Sequence, residues 1–233
     1  MPNNGKARRR DSTISLLGAV RTPARPGVER LTLQTDRGDI QGFFHAAGPE
    51  GTPGEAVVLW VGGAGGGTEG PAGGIYRVLA ERLAGQGISS VRLDYRSPNV
   101  LLDCIADVLV ALAWLEDVGG ARRAALVGHS FGGAVVIDAG AMSAIVKAVV
   151  TLSSQTYGAD LVGSVSPRSL LLVHGEADRV LPADCSRQLY AGAQDPRTLV
   201  IYPGAGHGLD ECAAPLQDLL YTYLTTQLGS RLR

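Results

Sequence analysis

The chain has 233 residues, of which 45% are hydrophobic and 18% are charged, an ordinary balance for one globular domain with a buried core. Its formal net charge of −1 gives nucleic acid or an anionic membrane no overall attraction. The three cysteines, Cys104, Cys185 and Cys212, are widely spaced, which argues against a disulfide framework or a zinc site. Reduced thiols are typical of the cytoplasm, so a cytoplasmic protein is expected.

The first 29 residues differ in composition from the rest, because they are rich in arginine and carry three prolines, Pro2, Pro23 and Pro26. We expect residues 1–29 to form a poorly ordered arm and residues 30–233 to form a single domain. The apolar piece ISLLGAV is short for a secretory signal, although the low acidity of this arm also fits an organelle transit peptide. No apolar run approaches the length of a transmembrane helix.

Strands and helices are predicted to alternate along the rest of the chain. Residues 31–47 predict two strands around a turn at 36–38, and residues 48–54 predict a loop. The apolar run AVVLWVGG is typical of a strand buried on both faces, and a glycine-rich loop and a helix from about Pro71 follow it. Further strands are predicted at 88–95, 123–129, 148–154, 169–175 and 197–204. Further helices are predicted at 99–118, 131–142, 183–193 and from about 214 to 228.

This alternation predicts the α/β class, with a mostly parallel central sheet and helices on both of its faces. In such sheets functional residues lie in the loops that follow the carboxyl ends of the strands. Those loops therefore hold the candidate site residues.

One such loop is the segment GHSFGG, which runs from Gly128 to Gly133 between a predicted strand and a predicted helix. It contains the pattern G-x-S-x-G, in which Ser130 is a candidate nucleophile on a tight turn. Glycine is abundant in this chain, with 32 residues, so the pattern alone is a weak signal. A serine hydroxyl also needs a base and a group that orients the base.

The four histidines are the candidates for that base. His45 lies on an early strand, far from the relevant loops, where we expect a structural role. His129 lies inside the turn itself, where we expect it to point away from the site. His174 ends a strand just before the segment GEAD. His207 lies in the loop PGAGHGLDE after the last predicted strand, which suits a general base, although a solvated loop histidine is the simpler alternative.

The segment HGEADRVLP, residues 174–182, offers Glu176 and Asp178 as the acid. Asp184 is better placed to cap the following helix, which leaves Asp178 to orient an imidazole. Asp210 and Glu211 are close to His207 in sequence. A carboxylate on a neighbouring strand would nevertheless hold a loop histidine more rigidly.

The order Ser130, Asp178, His207, each at a strand end, resembles the α/β-hydrolase superfamily over residues 31–228. The segment RLDYRSP, residues 92–98, is also similar to that family's strand-end segment. The resemblance implies a Ser-His-Asp triad in a layout similar to dienelactone-hydrolase-like esterases, although those use cysteine where this chain has Ser130. Only residues 153–168 separate two predicted strands where a cap is commonly inserted, so we expect no sizeable cap and an open site with Tyr157 at its rim.

The resemblance also implies an oxyanion hole made of two backbone N–H groups. One belongs to Phe131, which follows the serine. The other belongs to Ala64 in the loop VGGAGGG, although Gly62 stands where the family commonly has histidine, so Gly65 remains an alternative. Losing one such donor typically costs about 10²–10³-fold in rate.

These residues predict a serine hydrolase that cleaves a small-molecule carboxylic ester or thioester through an acyl-enzyme, with no metal, no cofactor and no nucleic-acid partner. One alternative is a dinucleotide- or nucleotide-binding module, because Gly65, Gly67 and Gly70 form G-x-G-x-x-G and Asp94 ends the next strand. Against it, the first of these glycines lies several residues past the strand end. Another alternative is a catalytically inactive hydrolase fold that serves as a binding protein.

Overall fold

The computed structural model describes residues 14–48 and 51–229, and in them nine strands form one sheet. The strands are β1 (Leu16–Arg25), β2 (Val28–Thr35), β3 (Ile40–His45), β4 (Ala56–Val61), β5 (Ile88–Asp94), β6 (Arg123–His129), β7 (Val146–Leu152), β8 (Ser169–Gly175) and β9 (Arg197–Tyr202). The helices are α1 (Ile75–Ala84), α2 (Leu101–Asp117), α3 (Phe131–Met142), α4 (Asp184–Gly192) and α5 (Ala213–Leu228).

The strands lie in the order β1-β2-β3-β5-β4-β6-β7-β8-β9. Strands β1, β2, β3 and β5 pair antiparallel, whereas all pairs from β5 to β9 are parallel. The last residue of β4, Val61, stands beside Leu93 of β5 and Gly128 of β6. The loop after β4 therefore begins next to both the end of β5 and the serine turn.

The burial of strand β4 shows that the sheet is covered on both faces, because all six of its residues are buried. Successive strand side chains point to opposite faces. Val57, Leu59 and Val61 belong to the apolar cluster that includes α2 and α3. Their neighbours along the strand belong to a second cluster that includes α1 and α5. Two hydrophobic layers thus hold the central strands and leave their carboxyl ends at one edge.

The expectation of a poorly ordered arm is wrong for residues 16–25, which form strand β1 at the edge of the sheet. The strand pairs antiparallel with β2, and Ala19 stands opposite Leu33. Arg21 lies over the ring of Phe44 at 5.1 Å and forms an ion pair of 3.2 Å with Glu29. Most residues of β1 are exposed, as expected for a strand at the edge of the sheet. Residues 1–13 of the predicted arm lie outside the described residues.

Several element boundaries also differ from the predictions by a few residues. Helix α1 begins at Ile75 rather than near Pro71, because Gly73 and Gly74 have φ values of 66° and 92° that do not continue a helix. Strand β7 ends at Leu152, because Ser153 has φ of 48°. Helix α4 begins at 184. Across the described part of the chain, none of the helices combines the length and apolarity that a bilayer crossing requires.

Candidate active site

Ser130 occupies the sharp turn between β6 and α3 with φ of 56° and ψ of −119°. A positive φ is uncommon for a residue with a Cβ atom, and such strained residues concentrate at functional sites. The turn is held by two backbone hydrogen bonds, from the Ser130 N–H to Leu152 O at 2.8 Å and from the Gly133 N–H to Ser130 O at 3.0 Å. The serine therefore lies at the carboxyl edge of the sheet and at the N-terminus of α3.

The two glycines of the G-x-S-x-G pattern are required by close backbone approaches. A Cβ atom on Gly128 would overlap the carbonyl oxygen of Gly132, where the helix turns back over the strand. A Cβ atom on Gly132 would overlap the carbonyl oxygen of Gly62 in the loop after β4. The pattern thus permits both the tight turn and the contact between the turn and the neighbouring glycine-rich loop.

Asp178 and His207 come together from two different loops at the same edge. The Nδ1 atom of His207 lies 2.7 Å from Oδ2 of Asp178, whose side chain is completely buried. Oδ1 of Asp178 accepts the N–H groups of Val180 at 2.8 Å and Leu181 at 2.9 Å. Burial opposes ionisation, but the Leu181 N–H and the His207 imidazole outweigh it and lower the pKa of Asp178. An ionised carboxylate accepts the Nδ1 proton of His207, which leaves Nε2 as its basic atom.

The loop that carries His207 is itself held by acidic residues. Glu211 accepts the N–H of Gly206 at 3.0 Å, and Asp210 accepts the N–H of Gly73 at 3.1 Å. These two carboxylates, which are close to His207 in sequence, therefore bind backbone groups. Asp178 is the carboxylate that contacts the imidazole.

The loop after β4 lies against the serine turn. Gly63 to Gly66 form a turn closed by the Gly66 N–H on Gly63 O at 3.0 Å, with the exposed residues Ala64 and Gly65 at its tip. A Cβ atom on Gly63 would be 3.5 Å from Cβ of Ser130. The first N–H groups of α3, beginning at Phe131, have no partner within the helix. Two sources of backbone N–H groups thus flank the serine.

No protein-family model matches the sequence. Uncharacterized protein YfhR of Escherichia coli (strain K12) is 29% identical over 130 residues, a segment that covers 46% of this chain and 45% of that protein. The chain thus matches less than half the length of that relative. Uncharacterized protein Rv2307c of Mycobacterium tuberculosis is 29% identical over 213 residues, which cover 78% of this chain and 73% of that protein.

Solved structures match nearly the whole chain. Dienelactone hydrolase from Anabaena variabilis superposes with a TM-score of 0.73 at 19% identity and covers 90% of this chain and 99% of its own. An α/β serine hydrolase without lid from Xanthomonas campestris has a TM-score of 0.72 at 18% identity, with the same two coverages of 90% and 99%. The chain has the α/β-hydrolase fold. The fold predicted from the sequence is confirmed.

The α/β-hydrolase sheet of this chain carries only residues 153–168 between β7 and β8, and its cap is correspondingly small. Gly158 in this segment packs against Leu101 at the start of α2, since a Cβ atom there would overlap the leucine side chain. The neighbouring Tyr157 is 80% exposed. The predicted open site is consistent with this short segment, and a contact between Tyr157 and substrate stays a prediction.

The prediction that His129 points away from the site is wrong. The centroids of the His129 and His207 rings are 4.8 Å apart, and Nε2 of His129 lies 3.0 Å from the backbone oxygen of His207. Burial lowers the pKa of His129 to about 4, so its imidazole is neutral near pH 7. The pattern of residues along β6 does not predict this contact, because His207 lies in a loop 78 residues further along the chain.

Arg92 and Asp94 of β5 hold the glycine-rich loop, a contact that the sequence did not predict. Asp94 accepts the N–H of Gly67 at 2.8 Å. Arg92, which is only 2% exposed, donates to the carbonyl oxygen of Thr68 at 3.1 Å and forms an ion pair with Glu69. Their spacing of two residues on one strand was the available signal, because it places both side chains on the same face.

His45 has the structural position that the sequence predicted. It is 1% exposed, and its Nε2 atom accepts a hydrogen bond of 3.1 Å from Nε of Arg92.

In the described ranges, no group of three or more His, Cys, Asp or Glu side chains is arranged to hold a metal ion.

Proposed function

We propose that this protein is a serine hydrolase that cleaves a carboxylic ester or thioester of a small molecule through an acyl-enzyme intermediate. The observation that carries the proposal is the 2.7 Å contact between His207 Nδ1 and the buried Asp178 carboxylate, at the sheet edge that also presents the strained Ser130. A nucleophile, a base and an orienting acid at one sheet edge are the parts that acyl transfer requires.

In the proposed reaction, Oγ of Ser130 attacks the substrate carbonyl while Nε2 of His207 takes the hydroxyl proton. The developing oxyanion is bound by the N–H of Phe131 and by the N–H of Ala64 or Gly65. The imidazolium, stabilised by Asp178, then protonates the leaving alcohol or thiol as its bond to the acyl carbon breaks. Water attacks the acyl-enzyme with His207 again acting as base, which releases the acid and restores Ser130. The residues of this chain perform each step without a metal or a cofactor.

Two further observations support an ester or thioester of a small molecule. Several structural neighbours are esterases or hydrolases by name, including an esterase domain from Rhodothermus marinus and the dienelactone hydrolase described above. Large apolar side chains are also exposed on the loops at the carboxyl edge of the sheet: Val100 at 49%, Tyr157 at 80% and Val180 at 68%. We propose that Tyr157 lines the rim of the acyl-binding site.

The dinucleotide-binding alternative is disfavoured by the geometry of the glycine-rich loop. A Rossmann fingerprint places its glycines directly at the N-terminus of the following helix. Here α1 begins at Ile75, beyond Gly70, and a Cβ atom on Gly70 would overlap the buried ring of Tyr76. The carboxylate of Asp94, which would bind the ribose in such a site, already accepts the Gly67 N–H.

The test compares Ser130→Ala with Ser164→Ala, a change of an exposed serine in the segment between β7 and β8. We expect the purified protein to hydrolyse p-nitrophenyl acyl esters and to be labelled by a fluorophosphonate. Ser130→Ala should lose both properties, and Ser164→Ala should keep both. Turnover retained by a folded Ser130→Ala variant would overturn the assignment of the nucleophile. Absence of both turnover and labelling in the parent protein would favour the inactive binding-protein alternative.

A series of esters with increasing acyl length then defines the substrate class. The open, apolar rim predicts that kcat/KM rises from acetyl to medium-chain esters. A strict preference for acetyl esters would contradict the role proposed for the rim.

A further inference from the structure

His174 is a completely buried histidine that the proposed reaction does not use. It lies near the end of β8, four residues before Asp178. Its Nδ1 atom is 2.7 Å from Oγ of Ser186, a buried serine of α4. Its Nε2 atom is 3.0 Å from the carbonyl oxygen of Leu181 and 3.2 Å from Oδ2 of Asp178. One imidazole thus joins the interior of α4 to the candidate catalytic acid.

The neighbours of His174 determine its tautomer. A carbonyl oxygen and an ionised carboxylate only accept hydrogen bonds, so Nε2, which lies between Leu181 O and Asp178 Oδ2, must carry a proton. Burial lowers the pKa of His174, which favours the neutral ring. The unprotonated Nδ1 atom then accepts the hydroxyl proton of Ser186. Ser186 therefore orients His174 so that its N–H points at the loop that carries Asp178.

Leu181 connects this histidine to Oδ1 of the Asp178 carboxyl group, whereas His174 itself contacts Oδ2. The N–H of Leu181 donates to Oδ1 at 2.9 Å, and its carbonyl accepts from His174. The N–H of Val180 also donates to Oδ1, at 2.8 Å. Oδ2 faces two imidazoles, Nδ1 of His207 at 2.7 Å and Nε2 of His174 at 3.2 Å. His174 thus supports the turn that supplies two donors to one oxygen and directly contacts the other.

We propose that His174 is a positioning residue, which holds the Asp178 carboxylate in the orientation that presents Oδ2 to His207. This inference rests on the proposed function only for its effect on rate, because the geometry that it explains is independent of turnover. Without His174, the carbonyl of Leu181 loses its donor and the carboxylate gains freedom to rotate about its Cβ–Cγ bond. Misplacement of the acid weakens the control of the His207 tautomer.

The test uses three variants and one reference. His174→Leu removes both polar contacts of the ring, whereas His174→Gln keeps an N–H donor near the position of Nε2. Ser186→Ala removes only the group that orients the ring. The first readout is kcat and KM on an acyl ester. The second is the low-field proton NMR resonance of His207 Nδ1–H, which reports the hydrogen bond to Asp178 without turnover and is assigned by its absence in His207→Ala.

We expect His174→Leu to lower kcat by about 10- to 100-fold, the usual effect of removing a group that orients a site residue, with little change in KM. The His207 resonance should shift or broaden in the same variant. His174→Gln should recover most of both properties, and Ser186→Ala should give a smaller loss than His174→Leu. Parental kcat and an unshifted resonance in a folded His174→Leu variant would overturn the inference.

The remaining outcomes are also decisive. If His174→Leu does not fold, Ser186→Ala tests the same orientation, and a parental resonance and kcat there would count against it. Equal losses in His174→Leu and His174→Gln with an unchanged resonance would assign His174 to packing alone. If the parent protein cleaves no ester but its resonance responds to His174→Leu as expected, the proposed function fails while the positioning role stands.

Discussion

The rings of His129 and His207 pack together at the carboxyl edge of the sheet, with their centroids 4.8 Å apart. Nε2 of His129 also lies 3.0 Å from the backbone oxygen of His207. Since His129 precedes Ser130 directly in the chain, it links the strand that ends at the proposed nucleophile to the loop that carries the proposed base. These contacts help to fix the relative position of two segments that come from distant parts of the chain.

His129→Ala should therefore reduce activity although His129 takes no part in the proposed chemistry. Loss of the ring contact and of the hydrogen bond frees the loop around His207, and we expect kcat to fall by about 10-fold or more, because small misplacements of catalytic groups are costly. His129→Gln keeps an N–H donor near the position of Nε2 and should lose less. Equal kcat values for His129→Ala and the parent protein would show that the loop is held by its other contacts.

Asp178 and Glu176 lie in the same loop and offer a matched pair of carboxylates. Asp178→Asn should lower kcat by about 10⁴-fold, because an amide that replaces the carboxylate favours the wrong tautomer of His207. Glu176 is exposed, and Glu176→Gln should leave kcat within a few-fold of the parent value. Steady-state kinetics on one ester checks both variants. The opposite ranking would move the acid from Asp178 to Glu176.

Gly132→Ala should destabilise the protein, because its Cβ atom would overlap the carbonyl oxygen of Gly62 and push the serine turn away from the glycine-rich loop. The expected loss in the free energy of unfolding is about 1–3 kcal/mol, the usual cost of overpacking. Gly65→Ala is the control, since a Cβ atom there meets nothing within 4 Å. Urea denaturation measures both variants, and equal midpoints would contradict the steric argument.

Asp94 should affect activity through the loop that it holds. Asp94→Leu removes the acceptor of the Gly67 N–H, which frees the turn at Ala64 and Gly65. We expect kcat to fall by up to about 10²-fold, the lower end of the cost of losing an oxyanion donor. Asp94→Asn retains a carbonyl oxygen at the same position and should be milder. Affinity for a boronic acid, which mimics the oxyanion, should fall in parallel; a loss of kcat without this change would point to a different cause.

Stability should decrease in mild acid because of His45. Burial and the nearby Arg92 lower its pKa from 6.5 to about 4 in the folded protein. As the pH falls below 6.5, His45 takes up a proton in the unfolded chain before it does so in the folded protein. The free energy of unfolding therefore keeps the contribution of neutral His45 in full above pH 6.5 and loses it as the pH approaches 4. A shift of this size corresponds to about 3 kcal/mol in the free energy of unfolding.

Unfolding curves between pH 7 and pH 4 measure this effect. His45→Gln provides an acceptor for Arg92 without a titrating group and should show a weaker dependence on pH than the parent protein. Some dependence should remain, because the pKa of His129 is also lowered to about 4 by burial. Identical pH profiles for the two proteins would exclude His45 as a source of the effect.

Much of the fold follows from local patterns in the sequence. The apolar run of β4, buried on both faces, and the alternation of strands with helices predicted a covered parallel sheet, which the structure confirms. Strand β1 was missed because its segment carries Pro23 and two arginines, and its mostly exposed side chains show no clear alternation of apolar and polar residues. Its only strong signal is the backbone pairing with β2, and pairing is not visible in composition.

Part of the candidate site likewise follows from local sequence, and part depends on the tertiary structure. The sequence by itself determined the strained turn at Ser130 and the order of serine, acid and histidine, because turn chemistry and strand ends depend on residues close together in the chain. Only the tertiary structure decided that His207 contacts Asp178 rather than Asp210 or Glu211, and that His129 packs on His207. The physical reason is that these contacts join loops from different strands, and their distances depend on how the strands align in the sheet.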